Sequence, residues 1–501
     1  MHNQAMDSQT NQLHFIMFPI MAQGHMIPMI DIAKMFAQRG VIITIVTTPH
    51  NAARFKKSID RATVSGLQIR VIQLNFPCEE AGLPKGCENF DMLPSPNLAF
   101  NLFTATAKLQ EPAEKLIQEL KPPPSCIISD FCLPWTIDIA RRFHVPRVTF
   151  HATSCFTILC THILYAAMVH QDIIPKSDSD YFVVPGLPDR IEITRAQIPA
   201  PLSPNLIDFC LQIEEADKAS HGVIFNSFDE LEMEYVKEYN KVKRVWCVGP
   251  ASVCNKDEMD KAQRGNNMSA IDEYHSLKWL DSWEPNSVLY ACLGSLCNLE
   301  SSQLIELGLG LEASNKPFIW VIRGGKELEE VEKWIVRDGF EEKIKKRGLV
   351  IHGWAPQLLI LSHPAIGGFL THCGWNSILE GVCYGIPMVT WPLFGDQFLG
   401  ERLVENVLKI GMSVGVEEPV KWDEEEKSGV LVEKDRVKRA VERLMDGGEE
   451  SQARRERARE FGETANRAVE EGGSSHVNMT SFIQDIMQLA RVQPMENKNK
   501  K

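Results

Sequence analysis

The sequence predicts an α/β protein built as two doubly wound parallel sheets facing each other across a cleft. Three observations carry that expectation. Short β-branched or apolar runs alternate with helix-length segments, the alternation comes in two blocks, and a polar, aperiodic stretch separates the blocks. Strands covered on both faces by crossover helices read as continuous apolar runs rather than in–out alternation, and these runs read that way.

The first block opens with Leu13–Ile20, an apolar run expected to form a buried strand. A helical pattern follows from about Ile27 to Gln38 and is ended by Gly40. VIITIVTT (41–48), QIRVIQLN (68–75), SCIISD (125–130), PRVTFHA (146–152), HGVIFNSF (221–228) and RVWCVGP (244–250) read as further strands, with a helix-length segment at 96–120. Residues 251–272 are polar with little periodicity and read as a linker or loop. After a helical segment at 276–283, the second block brings strands at 288–294, 317–323, 348–354, 365–372 and 387–392, and helices at 302–314 and in WNSILEGVCYG, closed by Gly385. The chain ends in charged helical sequence, Lys434 to about Phe461 and about His476 to Ala490. The expected division is therefore 1–250, a linker at 251–275, a second domain at 276–475, a helix at 476–490 packing back on the first domain, and a polar tail at 491–501. Both domains are Rossmann-like, and ligands of such sheets sit beyond the C-terminal strand ends.

Composition excludes several classes. The 501 residues are 44% hydrophobic and 24% charged, ordinary for a globular protein. The net charge of −13 and the lack of a basic stripe argue against a nucleic-acid partner and against anionic membranes. The polar N-terminus and the want of a long apolar run predict neither a signal peptide nor a membrane span. Thirteen cysteines without a CxxC pair predict reduced, buried thiols in a cytoplasmic protein, and the sequons at Asn267 and Asn478 then read as chance. GxGxxG, GxxxxGK[ST], GxSxG and HExxH are all missing; Gly308-Leu-Gly310-Leu-Glu-Ala lacks the third glycine.

The chemistry concentrates in residues 354–397. There a strand ends at His372, Cys373-Gly374 turns, and a helix starts near Trp375-Asn376-Ser377. The free N–H groups of a helix start, approached over a glycine, form an anion site able to take a diphosphate without a metal. His372, Asn376 and Ser377 add donors, Trp354 offers a stacking face, Glu380 an acceptor for ribose hydroxyls, and Asp396-Gln397 a carboxylate–amide pair suited to sugar hydroxyls. In the first block, His25 follows the first strand and Asp130 ends a later one, at the same sheet edge. An imidazole there suits removal of a hydroxyl proton, and the carboxylate would hold its tautomer and stabilise the imidazolium.

Blander readings stand beside these. Asp130 is also placed to cap a helix near Leu133-Pro134, Asn376 and Ser377 to cap theirs, Ser295 to make a turn, and Trp354 to fill a core. Met17, Met21, Met26 and Met29 read as core and pocket filling, Glu424–Glu426 as a solvated loop, residues Phe90 to Phe103 as a wall of a substrate pocket, and His151, Thr153 and Ser154 as neighbours of the site.

Residues 354–397, with W-A-P-Q, H-C-G-W-N-S and D-Q, resemble the signature box of plant family 1 UDP-glycosyltransferases, and the resemblance extends over about 12–490. It implies the GT-B type of fold and a UDP-sugar donor used as co-substrate, with no cofactor. It also implies a role for each residue. Trp354 would stack on uracil and the Ala355 backbone would meet its edge; Gln357 and Glu380 would bind ribose. His372, Asn376, Ser377 and Ser295 would hold the phosphates, and Trp375, Asp396 and Gln397 the sugar. Gln397 implies glucose, and the His25/Asp130 pair implies inverting transfer to a hydroxyl of a hydrophobic plant molecule, a flavonoid, triterpenoid or hormone. MAQGHMIPMIDIAKMFAQRG and VTTPHNAARF look typical of the subgroup that acts on such acceptors. A monomer is the default. One departure is Gly400, where the family usually carries asparagine. The rival readings are a UDP-sugar-binding protein without catalysis, which would not need His25 and Asp130 together, and a dinucleotide oxidoreductase, disfavoured by the missing glycine fingerprint.

Overall fold

The computed structural model describes residues 12–498 apart from 171–173, 200–205, 263, 265–272, 297–298, 324–327 and 421–428. The strands are β1 (His14–Phe18), β2 (Ile42–Thr47), β3 (Ile69–Gln73), β4 (Cys126–Asp130), β5 (Arg147–His151), β6 (Tyr181–Val183), β7 (Glu192–Thr194), β8 (Gly222–Phe225) and β9 (Val245–Cys247) in the first half. The second half has β10 (Val288–Cys292), β11 (Phe318–Ile322), β12 (Gly348–His352), β13 (Ile366–Thr371), β14 (Met388–Thr390) and β15 (Gly411–Ser413). The first sheet runs β3-β2-β1-β4-β5-β8-β9 and the second β12-β11-β10-β13-β14-β15, parallel throughout, with β6 and β7 forming a separate antiparallel pair.

In each sheet the order reverses once, between β1 and β4 and between β10 and β13. Chains leaving the two strands at such a point depart in opposite directions and open a crevice beyond the strand ends. His25 and Asp130 lie beyond β1 and at the end of β4, and Ser295 and His372 lie beyond β10 and β13. The two crevices face each other, and one cavity draws its lining from both halves.

Several elements differ from expectation in instructive ways. The first helix is Gln23–Gln38, starting a turn before Ile27, so Pro28 lies inside it. The segment 96–120 is two helices, Ala99–Ala107 and Gln110–Glu119. The charged C-terminal stretch is also broken, into Lys434–Leu444 and Glu449–Val469, with Gly447-Gly448 between them. The polar segment read as a linker is built into the molecule over its described residues. Ala251–Cys254 is a short 3-10 turn, Glu258–Ala262 a short helix, and buried Asn255 bonds Lys34 (2.7 Å) and Asp31 (3.0 Å) of the first helix. The acidic run 424–426 and Asn267 lie outside the described residues. All the described cysteines are free thiols.

The last helix, Ser474–Lys498, lies against the first sheet. Phe482 is fully buried, with its ring 5.6 Å from Phe15, 5.4 Å from Phe36 and 5.0 Å from Trp246. Asn478, the second sequon, donates to Asp229 and to the Cys247 carbonyl. Truncating a buried aromatic removes its transfer energy and leaves a cavity, so Phe482→Ala should destabilise the first domain by about 3–5 kcal/mol. The measurement is the denaturant midpoint of the intact chain, which should fall while the native circular dichroism is kept.

Candidate active site

The cavity between the halves has a volume of about 560 Å³ and is lined by every residue of the sequence-derived constellation except Asp130, which lies directly behind His25. His25 sits in the first turn of the first helix. Its Nδ1 meets Asp130 Oδ2 at 2.8 Å, leaving Nε2 as the ring nitrogen free for the cavity. Asp130 is fully buried; its Oδ1 accepts from the Cys132 N–H at 3.0 Å. The nearby helix begins at Thr136 with Trp135 as its cap residue, so Asp130 holds a turn and the imidazole rather than capping that helix. Burial opposes charge on His25, but the Asp130 carboxylate, assisted by Asp396, outweighs it and raises the imidazole above its ordinary value. Behind the pair, buried Arg147 donates to Thr136 (2.8 Å), Thr149 (2.9 Å) and Ser220 (2.6 Å), fixing the strand ends around Asp130.

On the opposite wall the helix Trp375–Cys383 starts at the cavity, with Gly374 as its N-cap. The half-buried His372 ring wedges between Gly294 and Gly374. Gly294 has φ +82°, and a Cβ there would lie 2.5 Å from the ring. Burial, with Arg323 nearby, pushes the His372 pKa down to about 4, so at neutral pH its ring is an uncharged donor. Gln357 Nε2 donates to Glu380 Oε2 at 2.7 Å and lies 3.3 Å from Ser377 Oγ, which gathers these three polar groups into one cluster. Ala355 is buried beside them, and Ser295 lines the same cavity.

Some residues are committed differently from expectation. The Trp375 indole N–H donates to the Asn226 carbonyl at 2.9 Å, across to the first half, so its ring nitrogen is not available to a sugar. One face of Trp354 carries the Arg323 guanidinium, 4.3 Å from the ring centroid, which leaves the other for a base. Gln397 Oε1 accepts from Leu393 N–H (2.8 Å) and Phe394 N–H (3.2 Å), leaving its NH₂ for the cavity. Asp396, raised by burial, accepts from Thr153 Oγ1 at 2.7 Å. Ser154 caps its own helix through Thr157 N–H (2.9 Å), and His151 is stacked between Phe131 and Phe225. The four methionines are core. Gly400 fits closely, since a Cβ there would be 2.5 Å from the Cys373 carbonyl oxygen.

Three site residues carry no local signal in the sequence. Arg264, in the segment read as a linker, pairs with Asp31 (Nε to Oδ2, 2.7 Å) and with Glu380, bridging the halves. Arg323 follows β11, and Asp31 lies among apolar residues in the middle of the first helix. Apolar cover on the first-half side comes from Ile20, Phe90, Phe103, Phe131 and Ile158.

Residues 275–417 match the family described as UDP-glucoronosyl and UDP-glucosyl transferase. UDP-glycosyltransferase 73C3 of Arabidopsis thaliana is 56% identical over 96% of this chain and 97% of its own. UDP-glycosyltransferase 73C12 of Barbarea vulgaris is 55% identical over 96% and 97%. Among solved structures, Glycyrrhiza uralensis UGT73P12, complexed with glycyrrhetinic acid 3-O-monoglucuronide, superposes with a TM-score of 0.89 at 36% identity, covering 98% of each chain.

The His25–Asp130 pair is testable without any substrate. An adjacent anion stabilises imidazolium, so the His25 midpoint, followed by NMR of labelled histidine, should lie above 6.5. Asp130→Asn removes the anion and leaves the burial, so the midpoint should drop below 6.5.

Proposed function

The chain belongs to the plant UDP-glycosyltransferase family, and within it we propose an inverting O-glucosyltransferase that moves glucose from UDP-glucose to a hydroxyl of a hydrophobic plant molecule. The observation that carries this reading is the His25–Asp130 pair facing the Trp375 helix start across one cavity. The acceptor hydroxyl gives its proton to His25 Nε2 while its oxygen bonds to C1 of the sugar. The C1–O bond to the diphosphate breaks, and UDP leaves with the electron pair. Asp130 stabilises the imidazolium without taking the proton. Attack opposite the leaving group turns the α-linked donor into a β-glycoside.

On leaving, the diphosphate gains one negative charge, which hydrogen-bond donors must stabilise. The helix N–H groups at Asn376 and Ser377, the uncharged His372 ring, Ser295 and the Asn376 amide are the donors for it, and no metal or other cofactor is invoked. Uracil stacks on Trp354 beside the Ala355 backbone; Glu380 and Gln357 take the ribose hydroxyls. Asp396 and the Gln397 amide take the glucose, with Trp375 contributing its backbone N–H. The phenylalanine-rich wall suits a flavonoid or triterpenoid aglycone, and the ligand of the Glycyrrhiza neighbour supports a polycyclic acceptor. The free thiols support a reducing, cytoplasmic setting, and we take the working unit to be a monomer.

The test is incubation with UDP-glucose or UDP-galactose and a panel of polycyclic aglycones, read by mass. A gain of one hexose, faster from UDP-glucose, is expected. His25→Ala should lower kcat by roughly 10²–10⁴-fold while keeping the UDP-induced thermal shift; an active His25→Ala removes the base assignment. Glu380→Ala should raise the donor KM by roughly 10–100-fold, the worth of a hydrogen bond to a charged group.

A further inference from the structure

We propose that Pro28 is a positioning residue for the donor site: it keeps the Gly24 carbonyl out of the helix ladder so that this carbonyl can hold the Asn376 amide across the cleft. The proposal rests on the reading of Asn376 as a diphosphate contact.

Within an α-helix the N–H of residue 28 would bond the carbonyl of residue 24. The helix Gln23–Gln38 contains Pro28 at its sixth position, and proline has no N–H to give. A proline this far inside a helix is costly, so its presence asks for a use of the carbonyl it frees. That carbonyl accepts from Asn376 Nδ2 at 2.5 Å, a bond between residues of the two opposed crevices. The carbonyl partner also settles the amide orientation, because only the NH₂ end can donate to it. Asn376 Oδ1 is buried and has no partner among the described residues.

Two consequences follow for the site. An amide nitrogen carries two hydrogens, so the bond to Gly24 leaves the second N–H at a fixed angle, and Asn376 lines the cavity. Gly24 is also the residue immediately before His25. A single hydrogen bond therefore registers the diphosphate-binding helix start against the turn that carries the base. With Pro28→Ala the new N–H competes for Gly24 O within the helix, and the amide of Asn376 loses its fixed aim.

The experiment is a double-mutant cycle on the full chain with Pro28→Ala, Asn376→Ala and both, reading the KM for UDP-glucose, kcat and the thermal midpoint. Pro28→Ala alone should raise the donor KM by roughly three- to tenfold, the net worth of one hydrogen bond, with an undiminished thermal midpoint because alanine suits a helix interior better. In the Asn376→Ala background, Pro28→Ala should change the donor KM less than twofold, about the limit of additivity. An equal effect of Pro28→Ala in both backgrounds, or no effect in either, overturns the proposal. Should Pro28→Ala fail to fold, Pro28→Ser restores the same N–H and replaces it in the cycle. A donor KM unmoved by Asn376→Ala overturns the phosphate reading of Asn376 instead, and so separates the two failures.

Discussion

The site depends on two separately folded sheets holding one relative position, and a buried ionic strap does much of that work. Arg264 lies between Asp31 of the first helix and Glu380 of the Trp375 helix, and Lys34 and Asn255 complete the set around Asp31. Burial would make Asp31 reluctant to ionise, but Arg264 and Lys34 reverse that and lower it below the usual carboxylate range. Charges taken out of water are tolerable only when every partner is in place. The strap is therefore sensitive to geometry, and geometry is what a two-sided cavity needs. Glu380, the proposed ribose acceptor, is one of its ends, so donor binding and the seating of the halves share a side chain.

The same economy recurs at the other crossings. The Trp375 indole reaches Asn226, Thr153 reaches Asp396, and Gln197 reaches the Glu417 carbonyl at 2.9 Å. Each pairs residues of opposite halves, and the first two involve residues that line the cavity. Hydrogen bonds of this kind are worth little singly, but together they fix the facing crevices at the distance a nucleotide sugar and an acceptor must share. The uncharged His372 and the charge-favouring His25 show how environment divides the labour of one residue type: the first lies next to a guanidinium, the second next to a carboxylate.

Much of this was legible in the sequence, for identifiable reasons. The strands stood out because both faces are covered, which makes apolar runs such as Ile42–Thr47 continuous. β15, with its half-exposed Gly411–Ser413, and the short hairpin of β6 and β7 leave no such mark. The helical pattern places the first helix from about Ile27, but it starts at Gln23, with Pro28 inside it and the Gly24 carbonyl bonded across the cleft to Asn376. The site residues were readable because they fall in one continuous string and at three strand ends. Arg264 was not, because its partners are 233 and 116 residues away and its own surroundings are polar and aperiodic. Asp130 illustrates the intermediate case: its type and place were clear, but whether it capped a helix or faced His25 required the turn at Cys132.

The chain enters the second sheet through the segment after β9 and leaves it at the turn before Ser474, so its first and last helices belong to the same half. The second half is thus suspended from the first at two points. Entry and exit are thus tied covalently to one partner, and the crossings through Arg264, Trp375 and Asp396 act on a body that both its chain ends already hold beside the first sheet.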